Sequence, residues 1–414
     1  MLLLQSMPAV SHAAVASHRS RYCVQRARAA YANALEPDAT ASKFIGLMAA
    51  EERPTDFELE SNAAASAEWY PTSNADFKYG KDELIAQVID PAVGGVPRQM
   101  HLVKGLLTAW EIDRLRMQFI EMGSFGAASD AHARVLVENG RVVCHELHAL
   151  LAAPLEDRIL PYVRMRLGEP RVVIADALVR AYREEDRRLA LAPHFDTSSF
   201  ATIIVPLNPG QYEGGLYIQP GASASSRVFV DRSFEAGDAL MHRFDVTHGV
   251  EVTAGNRYSL VLWLSDSAQS MAQGTTPWLR AAADAGNAYA QYLYGDVCRQ
   301  GAYGVGRDDD AAVDYFHKAA NQGHALAQFH LGMLYWGGGS GVEQSDERCV
   351  ELWRAAATAG LAAAQVKLGM CYASGYRGLQ RDDAEARRWF ERAARQGHIE
   401  AVMVLRRGGP PYEL

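Results

Sequence analysis

The chain has 414 residues, enough for two or three domains that each bury a core of their own. Its formal net charge is −8, with acids and bases mixed along the sequence, which argues against the basic stripe of a nucleic-acid-binding surface. No apolar run approaches the roughly 20 residues that a membrane-spanning helix needs. The 5 cysteines are sparse and include no CxxC pair, so a reduced cytoplasmic or organellar setting is expected rather than a disulfide framework.

Residues 1–35 carry Arg19, Arg21, Arg26 and Arg28 but no Asp, Glu or Lys. That composition suits a mitochondrial or plastid transit peptide, and equally a basic disordered tail. Residues 36–98 turn polar and acidic and end in the breaker-rich "DPAVGGVPR", which predicts a linker with at most one short helix. A short strand is expected from His101 to Gly105. Thr108 and Glu111 then form a T-x-x-E capping box, with Leu107 and Ile112 placed as a hydrophobic staple. Ile112, Leu115, Phe119 and Met122 follow at helical spacing. Cys144, His145 and His148 in "CHELHALL" read as one face of a helix rather than a metal site. A further helix over Pro154–Leu167 precedes a change of pattern.

From about Arg171 to Asp266 short apolar runs alternate with Gly, Pro and Asn. "RVVIADALVRAY", "FATIIVPLN", "GGLYIQP", "SRVFVD", "GDALMHRF", "HGVEVT" and "RYSLVLWL" predict about seven strands of an antiparallel sandwich or barrel, the cupin-like jelly roll being one such architecture. Ahead of the second run, "HFD" sets His194 and Asp196 two apart. On a strand they would share a face and could ligate one metal ion. A facial triad needs one more imidazole, for which His242 and His248 compete. Arg257 follows His248 by nine residues and shares a strand face with Ser259. A buried guanidinium there requires an anionic partner, and a dicarboxylate co-substrate would provide one.

His194-Phe195-Asp196, "EGGLYIQP", His248-Gly249 and Arg257-Tyr258-Ser259, in that order, resemble the iron(II)- and 2-oxoglutarate-dependent dioxygenases of the prolyl 4-hydroxylase type. The resemblance covers roughly Gln99 to Asp266. It implies a double-stranded β-helix with flanking helices, in which His194, Asp196 and His248 ligate iron(II) and Arg257 holds the distal carboxylate of 2-oxoglutarate. It further implies Tyr182 and Ser259 in the co-substrate pocket, and ascorbate as an optional reductant. Relatives of the oxygen-sensing type carry Arg at the position of Arg257, the collagen type Lys. Pro206 is a departure, because it stands where the oxygen-sensing type has a co-substrate tyrosine; Thr202 or Ser259 could take over that contact.

After a polar link, residues 267–277, the text becomes self-similar. Gly286, Gly323, Gly360 and Gly397 are each 37 residues apart, as are Phe316, Trp353 and Phe390. A fixed period of this length marks a helix-pair solenoid. Its pattern resembles Sel-1-like repeats, relatives of tetratricopeptide repeats, over residues 278–407. The whole chain therefore reads as a multidomain α+β protein: a hydroxylase at residues 99–266 whose array presents a peptide or protein to the iron site. A small-metabolite dioxygenase with the array used for assembly, and a non-catalytic adaptor, are the alternatives.

Overall fold

In a computed structural model the described residues are 72–73, 83–93, 98–123, 133–185, 189–338, 341–376 and 378–408, all within one compact unit spanning 61–414. The basic leader at 1–35 lies outside the described residues. Thirteen described strands are β1 (Thr72–Ser73), β2 (Glu83–Val88), β3 (Arg98–Val103), β4 (Ala133–Glu138), β5 (Arg141–Val142), β6 (Val173–Tyr182), β7 (Ala190–His194), β8 (Ala201–Pro206), β9 (Tyr212–Ile218), β10 (Val228–Phe229), β11 (Ala239–Arg243), β12 (His248–Gly255) and β13 (Arg257–Ser265). They form two antiparallel sheets: a nine-stranded one ordered β1-β2-β3-β11-β8-β13-β6-β4-β5, and a four-stranded one ordered β10-β9-β12-β7. The two sheets do not join into a closed barrel among the described residues.

One expectation needs correcting. The polar stretch 36–98 is not all linker, since β2 within it pairs with β3 from Glu83↔Val103 to Val88↔Arg98. "ELIAQV" is short and flanked by acidic and Gly-rich text, so its β character is weak alone and is supplied by the open edge of β3. The link 267–277 likewise holds a short helix, α4 (Ala268–Gln273), which follows α1 (Ala109–Glu121), α2 (His145–Pro154) and α3 (Leu160–Leu167). The Thr108–Glu111 capping box of α1 is formed, each side chain bonding the other's backbone. The helix expected over Pro154–Leu167 opens as a π-helical stretch, Leu155–Ile159, before α3.

Period-two alternation sorts the large sheet into two faces. Ile203 and Val205 of β8, Met241 of β11 and Leu260, Leu262 and Leu264 of β13 join one buried cluster with Ile112, Leu115 and Phe119 of α1 and Leu147 and Leu151 of α2. Leu102, Ile204, Leu240 and Tyr182 point the other way and pack with Leu216, Ile218, Val250 and Val252 of the small sheet. Thr202, His242, Arg257 and Ser259 alternate onto this second face.

The array comprises α5 (Pro277–Asp284), α6 (Ala288–Gln300), α7 (Asp309–Asn321), α8 (Ala325–Gly337), α9 (Asp346–Thr358), α10 (Ala362–Ser374), α11 (Asp383–Arg395) and α12 (Ile399–Arg406). Gly295 and Gly332 of α6 and α8 lie against Phe316 and Trp353, where a Cβ would sit 2.9 and 2.6 Å from the rings. The small residue and the aromatic of the 37-residue period are thus two halves of one helix contact. The array also shares the first cluster with the sheets, through Trp278, Leu279, Ala283 and Tyr292.

Its inter-repeat turns are seated on loops of the β-domain. A Cβ on Gly323 would collide with the carbonyl of Ala92, and one on Gly360 would lie 2.7 Å from Ser223 Cβ. Gln396 accepts from Ala224 N at 2.9 Å and from Ser223 Oγ at 3.2 Å. Tyr289 donates to Asp90 at 2.7 Å, and Asn287 donates to Asp245 at 2.9 Å. The Arg98 guanidinium stacks 3.8 Å from the Tyr289 ring centroid while donating to the carbonyls of Pro220 and Asp245.

His324 makes this interface sensitive to acid. It caps α8, its Nδ1 accepting from Ala327 N at 3.2 Å, and it packs on Tyr289 and Tyr292. Burial, with Arg98 nearby, lowers its pKa from 6.5 to about 3. The unfolded chain therefore takes the proton first, so stability is intact above pH 6.5 and falls as pH drops toward 3. The slope is about 1.4 kcal/mol per pH unit for one such group. His324→Asn keeps a capping acceptor, as Asn287 does one repeat earlier, but removes the titration. Urea unfolding at a series of pH values should show a flatter acid limb in the variant than in the parent chain.

Candidate metal centre

The antiparallel pairing of β7 with β12 sets His194 directly opposite His248 as Cα partners. Their ring centroids lie 4.4 Å apart. The strand ends at His194, so Asp196 is not held to that face by the pleat. A turn closed by Ser199 N donating to Asp196 O at 2.9 Å brings it round. Asp196 Oδ1 is 3.7 Å from His194 Nε2, and its Oδ2 is 3.5 Å from His248 Nε2. One ligand atom from each of the three residues falls within 4.8 Å of the others, the arrangement that a metal ion needs.

The hydrogen bonds behind the ligands fix which atoms face the centre. His194 Nδ1 lies 2.9 Å from the carbonyl of Ala192, and His248 Nδ1 3.2 Å from that of Val246. A carbonyl accepts only, so each Nδ1 carries the proton and each Nε2 presents a lone pair. Thr202 Oγ1 donates to Asp196 Oδ2 at 2.7 Å. Burial works against the charge of Asp196, but the positive charge that the neighbouring histidines carry when protonated, with the Thr202 hydroxyl, outweighs it and holds the carboxyl below its usual range. Burial lowers His248 well below the ordinary histidine value, keeping it neutral. An anionic carboxylate between neutral imidazoles is the protonation state in which this donor set binds a divalent cation.

His242, the competitor for third ligand, stands beside this set. It faces Thr202 across the β11–β8 pair, and its ring centroid is 4.3 Å from that of His248. Its Nδ1 lies 2.9 Å from the carbonyl of Arg243, while its Nε2 is buried without a hydrogen-bond partner.

Arg257 is fully buried at the start of β13, opposite Tyr182 as Cα partner. Its guanidinium carbon is 5.7 Å from the ring centroids of both Tyr182 and Tyr212. The anionic partner that burial demands is in the chain itself: Nε donates to Asp231 Oδ2 at 2.7 Å. The same oxygen accepts from Tyr212 Oη at 2.7 Å and from Leu216 N at 2.8 Å. Burial opposes the charge of Arg257, and Asp231 more than compensates, raising its pKa above the usual arginine value. Asp231 was not singled out from sequence, because an Asp closing "VFVD" is indistinguishable from an ordinary turn residue. Arg257 Nη2 remains without a partner, so one buried donor is available to a ligand carboxylate.

Ser259 is buried on the same face as Arg257, with Pro206 and Arg180 as its Cα partners. Tyr182 lies in the apolar cluster between the sheets. Thr202, one of two candidates to replace a co-substrate tyrosine, has its hydroxyl bound to Asp196. Its hydrogen bond orients the ligand, so Thr202→Val should weaken Mn(II) binding by roughly tenfold in a calorimetric titration, with the fold unchanged by circular dichroism.

The Sel1 repeat model matches residues 288–324, 325–361 and 362–398. No curated protein sequence matches the chain. Among solved structures, a Sel1 repeat protein from Oxalobacter formigenes is 33% identical, over 32% of this chain and 96% of that one, with a TM-score of 0.30. A 2OG-Fe(II) oxygenase family oxidoreductase from Burkholderia pseudomallei is 14% identical over 41% of this chain and 86% of its own, with a TM-score of 0.34. A prolyl hydroxylase in complex with a hypoxia inducible factor oxygen degradation domain peptide fragment, from Trichoplax adhaerens, is 16% identical over 40% and 83%, with a TM-score of 0.31. Residues 288–398 of the chain are thus three Sel1 repeats.

Proposed function

We propose that the chain is an iron(II)- and 2-oxoglutarate-dependent dioxygenase that hydroxylates a side chain of a peptide or protein, a prolyl residue being the first candidate. The convergence of His194, Asp196 and His248 ligand atoms within 4.8 Å, each imidazole tied by Nδ1 to a carbonyl, carries this reading. Iron(II) with 2-oxoglutarate supplies the chemistry, in which O2 is consumed, 2-oxoglutarate leaves as succinate and CO2, and a C–H becomes C–OH. The chain's own part is to hold and orient. His194 and His248 each offer a lone pair, and Asp196 offers the one negative charge. Arg257 offers Nη2 to the distal carboxylate, with Tyr182 and Ser259 alongside. The apolar residues between the sheets, Ile204, Leu216, Leu240 and Val250, keep water from the site.

The repeats suit protein interaction in general, and in this reading the substrate or a partner reaches the β-domain along the array. A second reading, a small-molecule substrate with the array serving as a brace, is favoured by one observation. The turns at Gly323 and Gly360 are already occupied by the chain's own Ala92 and Ser223. Among the described residues no helix is long and apolar enough to cross a membrane.

His194→Ala, Asp196→Ala and His248→Ala should each abolish succinate release and weaken metal binding, whereas His242→Ala should retain most activity. Loss in the His242 variant with retention in the His248 variant would reverse the assignment of the third ligand. Succinate release by the full chain, assayed against prolyl peptides and against small amino acids, separates the two substrate readings. Stimulation by small molecules alone would sink the peptide hydroxylase.

A further inference from the structure

We propose that Asp231 is a specificity-determining residue of the co-substrate pocket, weakening the grip on a distal carboxylate by neutralising Arg257; this rests on the dioxygenase reading above. In a pocket whose arginine has no internal partner, a dicarboxylate meets an uncompensated buried cation. Here the guanidinium already holds a carboxylate at 2.7 Å, and both side chains are almost completely buried, with 1% and 2% exposure. An incoming carboxylate would complete a triad of two anions and one cation, at separations where like charges repel strongly in a low-dielectric site.

The hydrogen-bond inventory supports this role over a purely structural one. All three donors that reach Asp231, from Arg257, Tyr212 and the backbone of Leu216, converge on Oδ2. Oδ1 is buried with no hydrogen-bond partner, and so is Arg257 Nη2. Buried Arg–carboxylate pairs are frequently two-point forks that use both atoms. Here one donor atom and one acceptor atom of the pair are left over, and Arg257 shares its sheet face with Ser259, Thr202 and His242. The ligand that enters meets a donor for one oxygen and a negative charge behind it. Such a pocket discriminates weakly between 2-oxo acids that carry a distal carboxylate and those that lack one.

Asp231→Asn isolates the charge from the geometry. The amide oxygen can stand in place of Oδ2 and keep its donors, while the amide nitrogen takes the place of Oδ1, which bonds nothing. The test is anaerobic calorimetric titration of the full chain, loaded with Mn(II), with 2-oxoglutarate and with 2-oxobutyrate, which has no distal carboxylate. The Asn variant should bind 2-oxoglutarate on the order of tenfold more tightly than the parent, with 2-oxobutyrate binding unchanged. Asp231→Ala gives the same comparison if the Asn variant does not fold, and should shift the preference in the same direction. An unchanged or reduced preference for 2-oxoglutarate in the variants would overturn the proposal and leave Asp231 as a support for Arg257. Failure of both oxo acids to bind the parent and the variants would instead remove the dioxygenase reading, and this inference with it.

Discussion

Strands β8, β11 and β13 are buried on both faces, and everything else in the molecule follows from the two faces having different chemistry. One face is apolar but for Arg243, whose guanidinium lies on Phe200, and must be covered, which α1, α2 and the start of the array accomplish together. The other is apolar except at Thr202, His242, Arg257 and Ser259, so the space between the sheets holds a small polar island in an oily surround. Because side chains alternate with period two, the same short strands build the core and aim the site. A one-residue slip of β8 would exchange Thr202 for Ile203 and lose both.

Burying that island is costly unless its polar atoms are partnered, and the observed contacts show how most are. Each metal-site imidazole leans on a backbone carbonyl two residues earlier in its own strand or turn, and Asp196 takes a hydroxyl from the neighbouring sheet. Arg257 is held by Asp231, and removing either partner of a fully buried pair typically costs about 3–5 kcal/mol. Among the buried polar atoms without a hydrogen-bond partner, His242 Nε2, Arg257 Nη2 and Asp231 Oδ1 belong to this island.

The array is part of the same structure and not an appendage on a tether. Trp278 packs edge-on against Phe200 at 5.6 Å, and Phe195, between His194 and Asp196, meets Tyr289 of the first repeat helix at 6.0 Å. Asn287 holds Asp245, three residues before His248. Small residues at the inter-repeat turns, needed for the positive φ of each turn, also allow the turns to approach the β-domain loops closely. A repeat whose glycines serve both purposes ties the geometry of the array to the rigidity of the metal-site strands.

Much of this was legible in the sequence. The strands from Val173 to Ser265, the cap of α1 and the 37-residue helix pairs are local or periodic signals, and chain-local preferences suffice to write them. The pairing of His194 and Asp196 with an imidazole near residue 248 was also visible as a spacing. The motif order already pointed to His248 over His242, and register gives the physical reason, since His248 faces His194 across a strand pair while His242 faces Thr202. Two things were decided only by tertiary structure. The strand character of residues 83–88 depends on a partner edge offered by β3. The partner of Arg257 lies 26 residues away in an unremarkable turn, and no local pattern marks it. Preferences that act within a few residues can be read along a chain. Charge pairing and register are set by groups distant in sequence, and only folding brings them within a hydrogen bond's reach.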